Sequence, residues 1–350
     1  MKKIVMLMLC ILVLPVWVAA QKGYVGGKLG EELDDLMTDF SKKGYSGAVL
    51  VAQGDEIVLQ KGYGLADRER KIQNTPLTLF HVASVGKIFT AAAILKLEMQ
   101  GKLKTSDLIS KHLGKFPEEK SGATIHHLLC HTAGLVVDGA ALDYSSRKAY
   151  IQSVKEAPIE SKPGEKYRYT NAGYVLLAAI VEEVSGQSFE SYLQKNLFKP
   201  AGLDSTGQPW DKKFDNAPLA VGYTGNKLEE LKPSPRLTDV WGYRGPGNLV
   251  TTIGDLYKWT QALHKNKVLS EEAKKKMFTA YAHVDEGYGW HINKTERNTM
   301  MVHRGGGRPD FESQVQWYVD ENTVVIFTVN NDLNFRRVVI PAIAQTIWKK

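Results

Sequence analysis

The hydrophobic pattern of this chain changes period several times, and each change predicts an element. Residues 29–43 place Leu29, Leu33, Leu36, Met37 and Phe40 on one face at helical spacing. Ser46–Gln53 and Glu56–Tyr63 then read as strands joined by a tight turn at Gly54-Asp55. After Thr78 the pattern is mostly helical, broken into loops by Gly and Pro clusters at 162–164, 200–209 and 233–247. Strand patterns return at 288–293, 299–303, 313–319 and 323–330. A last helix is predicted from Asn334 to Trp348, with Pro341 as a kink.

Strands at both ends with helices between predict an α+β fold. One antiparallel sheet, built from residues 21–80 and 281–350, is flanked by the N- and C-terminal helices, and residues 81–280 form a helical insertion. The whole of 21–350 then makes one domain, with a cleft at the seam where distant groups can meet. No internal repeat or low-complexity linker interrupts it.

The first residues read as a targeting segment. Lys2 and Lys3 precede an apolar run from Ile4 to Val18, and Val18-Ala19-Ala20 offers small residues for cleavage before Gln21. The run is fifteen residues, short of the roughly 20 that a spanning helix needs. The expectation is a signal peptide over 1–20, a periplasmic or secreted protein, and no stable membrane insertion after cleavage. An uncleaved anchor and a lipid-modified Cys10 are the competing readings. Removing that segment takes two lysines and no acid, and lowers the formal net charge from +7 to +5. Lys274-Lys275-Lys276 and Arg336-Arg337 then read as solvated faces, and no basic–aromatic stripe points to nucleic acid. Only Cys130 remains after cleavage, so an internal disulfide is excluded and packing alone holds the fold. A 43% apolar composition is ample for that.

The candidate chemistry begins at Ser84-Val85-Gly86-Lys87. Serine and lysine three apart share one helix face, which brings an amine within reach of a hydroxyl. Ser145-Ser146-Arg147-Lys148 has the same spacing, but only Ser84 precedes an apolar helical run, Ile88 to Met99. Tyr169-Thr170-Asn171 follows, just before a helix predicted over Ala172–Val184. His303-Arg304-Gly305 comes third, between strands 299–303 and 313–319.

In that order, and with their flanks, these motifs resemble the serine β-lactamase and penicillin-binding-protein superfamily. The closest likeness is to the branch of class C β-lactamases, D,D-carboxypeptidases and related esterases. Leu79 to Lys87 looks like the nucleophile segment, and Leu128-Leu129-Cys130-His131-Thr132-Ala133-Gly134-Leu135 like the "LLTHTSGL" segment. Gly245 to Thr252, Asp255-Leu256 and Tyr288-Gly289-Trp290 are further matches. The resemblance implies a β-lactamase/transpeptidase-like fold and an acyl-enzyme on Ser84, with Lys87 and Tyr169 managing the proton. It implies Asn171 as an amide donor to substrate or to Lys87. An oxyanion hole would come from the backbone N–H of Ser84 and one from the strand after His303, with Gly306 as the second donor. The third motif allows two alignments, His303 with Gly305 or Arg304 with Gly306; all four residues are candidate substrate-binding positions. His at that motif tilts the reading to a peptidase- or esterase-like hydrolase of D-alanyl peptides, small esters or β-lactams. A true class C β-lactamase and a non-catalytic penicillin-binding sensor are the alternatives, and transfer to an amine is a third outcome. No cofactor is expected, and the partner is a small-molecule or peptide substrate. Which acyl donor it takes depends on loops around 136–148 and 205–245; oligomeric state is not legible.

Plainer readings apply elsewhere. Lys120-Ser121-Gly122 reads as a surface turn and His112-Leu113-Gly114 as a chance loop match. His126, His127 and His131 with Cys130 lack a fourth ligand, so no metal site is expected, and His131 reads as a structural hydrogen-bonder. Gly305-Gly306-Gly307 opens no helix and is no phosphate loop; no Gly-x-Ser-x-Gly elbow occurs. Arg304 and Arg308 could each fork onto a substrate carboxylate.

Overall fold

The computed structural model describes residues 23–135, 142–225, 227–235, 237–281 and 285–349. The expected leader, residues 1–20, and positions 136–141 of the first substrate loop lie outside them.

One seven-stranded antiparallel sheet carries the fold. Its strands are β1 (Tyr24–Val25), β2 (Gly47–Gln53), β3 (Glu56–Tyr63), β4 (His291–Lys294), β5 (Met300–Arg308), β6 (Phe311–Tyr318) and β7 (Thr323–Val329), in the order β1-β3-β2-β7-β6-β5-β4. The first three strands join the last four where β2 pairs with β7, Gly47 opposite Val329. Alternation divides the side chains of that central pair. Val49, Val51, Val325 and Phe327 pack on one face against helices α1 (Gly27–Lys42) and α4 (Arg336–Ile347). Ala48, Leu50, Val324 and Ile326 face the larger core of the helical layer. The predicted stripe on α1 holds: Leu33 and Met37 are fully buried, with Leu29, Leu36 and Phe40 partly buried beside them.

Two helices differ from α1 by being buried almost all round. In α2 (Lys87–Met99) every residue from Lys87 to Leu95 is buried, and in α3 (Asn171–Ser185) every residue from Ala172 to Val181 is. They pack on each other beneath the cleft, so the first turn of each is fixed by core contacts. Thr170 caps α3 by accepting a hydrogen bond from the Ala172 N–H at 3.1 Å. Helix α4 continues through Pro341.

Several boundaries differ from expectation. The strand read as 299–303 runs to Arg308, pairing through the triple glycine with β6, Gly306 opposite Ser313. Glycine there reflects close approach, not a loop. A Cβ on Gly306 would run into the Val82 carbonyl and lie 3.0 Å from the Ser84 nitrogen. Tyr288-Gly289-Trp290, read as strand, precedes β4 as a buried turn. A helix over Arg147–Glu156 does follow Ser145, with Ser146 as its cap, and His112-Leu113 lies in the short helix Ser110–Leu113. Ser121-Gly122 is an exposed turn, as read, but Lys120 before it is not at the surface. It is 1% exposed and donates to the carbonyls of Val154, Lys155 and Ala157.

Candidate active site

Ser84 sits in a 3-10 turn, Ala83–Gly86, that leads into α2. The turn is tight: Ala83 has φ +44°, in the left-handed region that L-residues avoid. It is also wedged. A Cβ on Gly86 would stand 2.6 Å from the Gly247 Cα, and one on Gly247 would collide with the Ala83 carbonyl. The Gly245–Asn248 segment can approach the nucleophile turn only because both positions are glycine.

The Ser84 hydroxyl oxygen lies 2.7 Å from the Tyr169 hydroxyl and 3.1 Å from Lys87 Nζ. Lys87 is fully buried and donates further to Asn171 Oδ1 at 2.6 Å and to the Pro246 carbonyl at 2.8 Å. These acceptors suit an ammonium, which can only donate. Only Ser84 among these three partners also carries a proton, because an amide oxygen and a carbonyl can only accept. A neutral Lys87 would therefore turn its lone pair toward Ser84 while keeping its other two bonds.

Tyr169 stands one residue before Thr170, the extended cap of α3, while Asn171 reaches Lys87 from the first turn. Its ring lies 4.5 Å from that of His131 and 5.0 Å from Lys87 Nζ. Burial pushes the phenol up, but the Lys87 and Arg304 cations, with hydrogen bonds from Lys87 and Ser84, outweigh it and hold the phenol below the ordinary tyrosine value. His131 is buried, has φ +57°, and accepts from the Thr170 N–H at Nδ1, 3.3 Å. Burial, then Arg304 and Lys87, hold it neutral, well below the usual histidine range.

The two alignments of the third motif are separated by strand alternation. Arg304 and Gly306 face the cleft. Arg304 is 1% exposed; Nη2 donates to the Tyr169 hydroxyl at 3.3 Å, Nε to the Ser84 carbonyl at 3.3 Å, and Nη1 to Glu286 at 2.9 Å. His303 and Gly305 face the other side of the sheet, which corrects their reading as cleft residues. His303 Nε2 lies 2.9 Å from Asn293 Oδ1, its ring is 5.1 Å from His291, and a Cβ on Gly305 would meet the Arg336 guanidinium. Burial, with His291 and Arg304 nearby, pushes His303 down to about 4.

A cavity of about 520 Å³ opens over Ser84, bordered by Asn171, Tyr144, Tyr243, Gly307 and Arg308. Gly307 borders it, while Gly306 lies beneath, against the nucleophile turn. Arg308 pairs with Asp310 at 2.9 Å, whereas the buried Arg304 is committed to protein partners. Three contributors escaped the sequence reading. Tyr144 and Tyr243 line the cavity from loops without a motif, and Glu286 lies two residues before the recognised Tyr288-Gly289-Trp290. His126 and His127 are occupied otherwise: His126 Nδ1 meets the Tyr288 hydroxyl at 2.8 Å, and His127 closes a capping box with Thr124. Among the described residues no group of three His, Cys, Asp or Glu side chains is arranged to hold a metal ion, and no helix is long and apolar enough to cross a membrane.

Comparison with known proteins adds to this geometry. A family profile described as Beta-lactamase matches residues 33–346. The chain is 37% identical over 251 residues to the putative penicillin-binding protein PbpX of Bacillus subtilis, covering 71% of this chain and 62% of that protein. It thus spans less than two thirds of that relative's length. The solved penicillin-binding protein of Bacillus halodurans superposes with a TM-score of 0.78 at 28% identity, covering 89% of this chain and 98% of that one. A class C β-lactamase superposes with a TM-score of 0.81 at 18% identity, over 92% and 97% of the two chains, a likeness of fold.

Proposed function

Because the chain belongs to the Beta-lactamase family, whose members are serine hydrolases, we propose that it is an exported serine hydrolase acting through an acyl-enzyme on Ser84. The observation that carries this reading is the Ser84 hydroxyl lying 2.7 Å from the Tyr169 hydroxyl and 3.1 Å from Lys87 Nζ.

Ser84 attacks the acyl carbonyl and its proton passes to the Lys87–Tyr169 pair. Neither side chain is a base in water at neutral pH, since their free pKa values lie near ~10. In the cleft the two share their proton, so the base is the pair and not one residue. The same pair returns the proton to the leaving group, and water, activated likewise, releases the acyl group. The developing oxyanion is met by the Ser84 N–H and by one from the glycine segment of β5. Gly307, which borders the cavity, suits that second role better than Gly306. Asn171 holds Lys87 and offers its amide to the substrate.

The acyl donors are D-alanyl peptides, small esters and β-lactams. The name of PbpX, a putative penicillin-binding protein, supports β-lactams as ligands. Export rests on the basic and apolar residues 1–20. The test is a phosphonate serine probe and a fluorescent penicillin, read by mass spectrometry of the intact protein, beside p-nitrophenyl ester turnover. Adduct on Ser84 with slow penicillin release is expected. Rapid penicillin turnover would instead make it a β-lactamase, and a folded protein without adduct would make it a binding protein.

A further inference from the structure

We propose, resting on the reading of Ser84 and Tyr169 above, that Glu286 is a positioning residue whose carboxylate anchors Arg304 so that one guanidinium braces both the Tyr169 hydroxyl and the Ser84 turn. Glu286 is fully buried. Its Oε1 accepts from Arg304 Nη1 at 2.9 Å and lies 3.7 Å from His131 Nε2; its Oε2 lies 2.9 Å from His291 Nδ1 and accepts from the Tyr167 hydroxyl at 3.5 Å. One carboxylate therefore lies against both groups that flank the phenol, the guanidinium and the imidazole tilted against its ring.

Arg304 is divided three ways. Nη2 and Nε point at Tyr169 and at the Ser84 carbonyl, and Nη1 at Glu286. Without Glu286 the guanidinium keeps two neutral acceptors and a buried charge with no counter-ion in contact. Such a group turns toward water. A buried ion pair is a poor source of stability compared with apolar packing, so its place behind the phenol asks for another use. The groups bearing on Tyr169 are Lys87, Arg304 and His131; those bearing on Glu286 are Arg304, His131, His291 and Tyr167. Cys130, Tyr174 and His303 feel the same carboxylate at longer range.

The experiment compares Glu286→Gln, Glu286→Ala and Glu286→Asp with the wild type, following Ser84 acylation against pH. The alkaline rise of acylation reports loss of the proton held by the Lys87–Tyr169 pair. Glu286→Ala frees Arg304 and lets the phenol climb, so the rise moves to higher pH and acylation slows about 10- to 100-fold. Glu286→Gln keeps an oxygen for Nη1 but removes a negative charge, which favours phenolate, so the rise moves to lower pH. Glu286→Asp retains the charge and stays nearest the wild type. A rise that stays in place, or moves the same way in the Gln and Ala variants, overturns the proposal and leaves Glu286 as packing. Should the Ala variant fail to fold, a rise that moves to lower pH in the Gln variant and stays near the wild type in the Asp variant supports the proposal, and a rise unmoved in the Gln variant overturns it. A wild type that never labels at Ser84 sinks the reading of the nucleophile instead, whatever the variants do.

Discussion

Lys87 and Lys120 are both buried, 0% and 1% exposed, and each donates to three oxygens. All three oxygens on Lys120 are backbone carbonyls where the helix Arg147–Glu156 ends, so its ammonium closes that helix and can do nothing else. Lys87 donates to a carbonyl, a side-chain amide and the Ser84 hydroxyl, and it bears on the Tyr169 phenol as well. Burial and saturation are therefore not what marks a reactive lysine. A partner that can itself give up a proton is.

The largest effect that can break this contrast is Ser84→Ala, which should abolish probe labelling while the folded protein remains. Next is the pair of lysine variants. Lys87→Met should slow acylation by roughly 10²- to 10⁴-fold, the range of a lost proton-transfer group. Lys120→Met should leave acylation within about threefold and instead lower stability by roughly 2–4 kcal/mol, since three buried carbonyls lose a charged donor. Stopped-flow labelling and urea unfolding of both variants read the two outcomes. Equal kinetic damage from both would show that the cleft merely senses the rigidity of the surrounding helices.

The same contrast runs along β5, where adjacent basic residues point to opposite faces. Arg304→Ala should slow acylation about 10- to 100-fold, because Tyr169 loses a cation and the Ser84 turn a brace. His303→Ala should change acylation less than about threefold, although its position in the motif favoured it as a ligand. Labelling rates of the two variants on one substrate measure the difference.

How far the text of the chain reached follows from what kind of signal each part leaves. α1 was legible because helical alternation survives where an element has one wet face, and the central strands, buried on both faces, because a short apolar run between turn signals reads as a strand. α2 and α3 were placed by apolar content and by the Ser-x-x-Lys and Tyr-x-Asn flanks, since helices buried all round show no stripe. Ser84, Lys87, Tyr169 and Asn171 came from order and spacing, and the structure does bring them together. The third motif was undecidable because a glycine run carries no alternation, and the face of a strand flips with a one-residue shift. Glu286 was invisible for a different reason: a lone Glu in a polar stretch reads as surface until the fold closes over it. Lys120 was misread in the same way.

His303 sharpens the comparison from the other side, as a buried base without enough acceptors. Its Nε2 faces Asn293, and its Nδ1 is buried with no hydrogen-bond partner among the described residues. Burial, then His291 and Arg304, hold its pKa at about 4, against 6.5 for the free side chain. The unfolded chain thus binds a proton in the window from about pH 6.5 to 4 where the folded protein does not. Stability rises with pH whenever the unfolded state holds more protons, so acidification through that window costs stability, and below about 4 the loss is complete. His126, His127 and His131 are also held below their ordinary values by burial and add to the slope. Replacing His303 with Gln, which offers a neutral donor to Asn293, should remove up to one proton from the slope of unfolding free energy against pH between 4 and 6.5, with acylation at neutral pH little changed. Urea unfolding at half-unit pH steps reads that slope directly. An unchanged slope would mean that His303 is charged in the folded protein, and that one amide oxygen suffices where Lys87 has three acceptors.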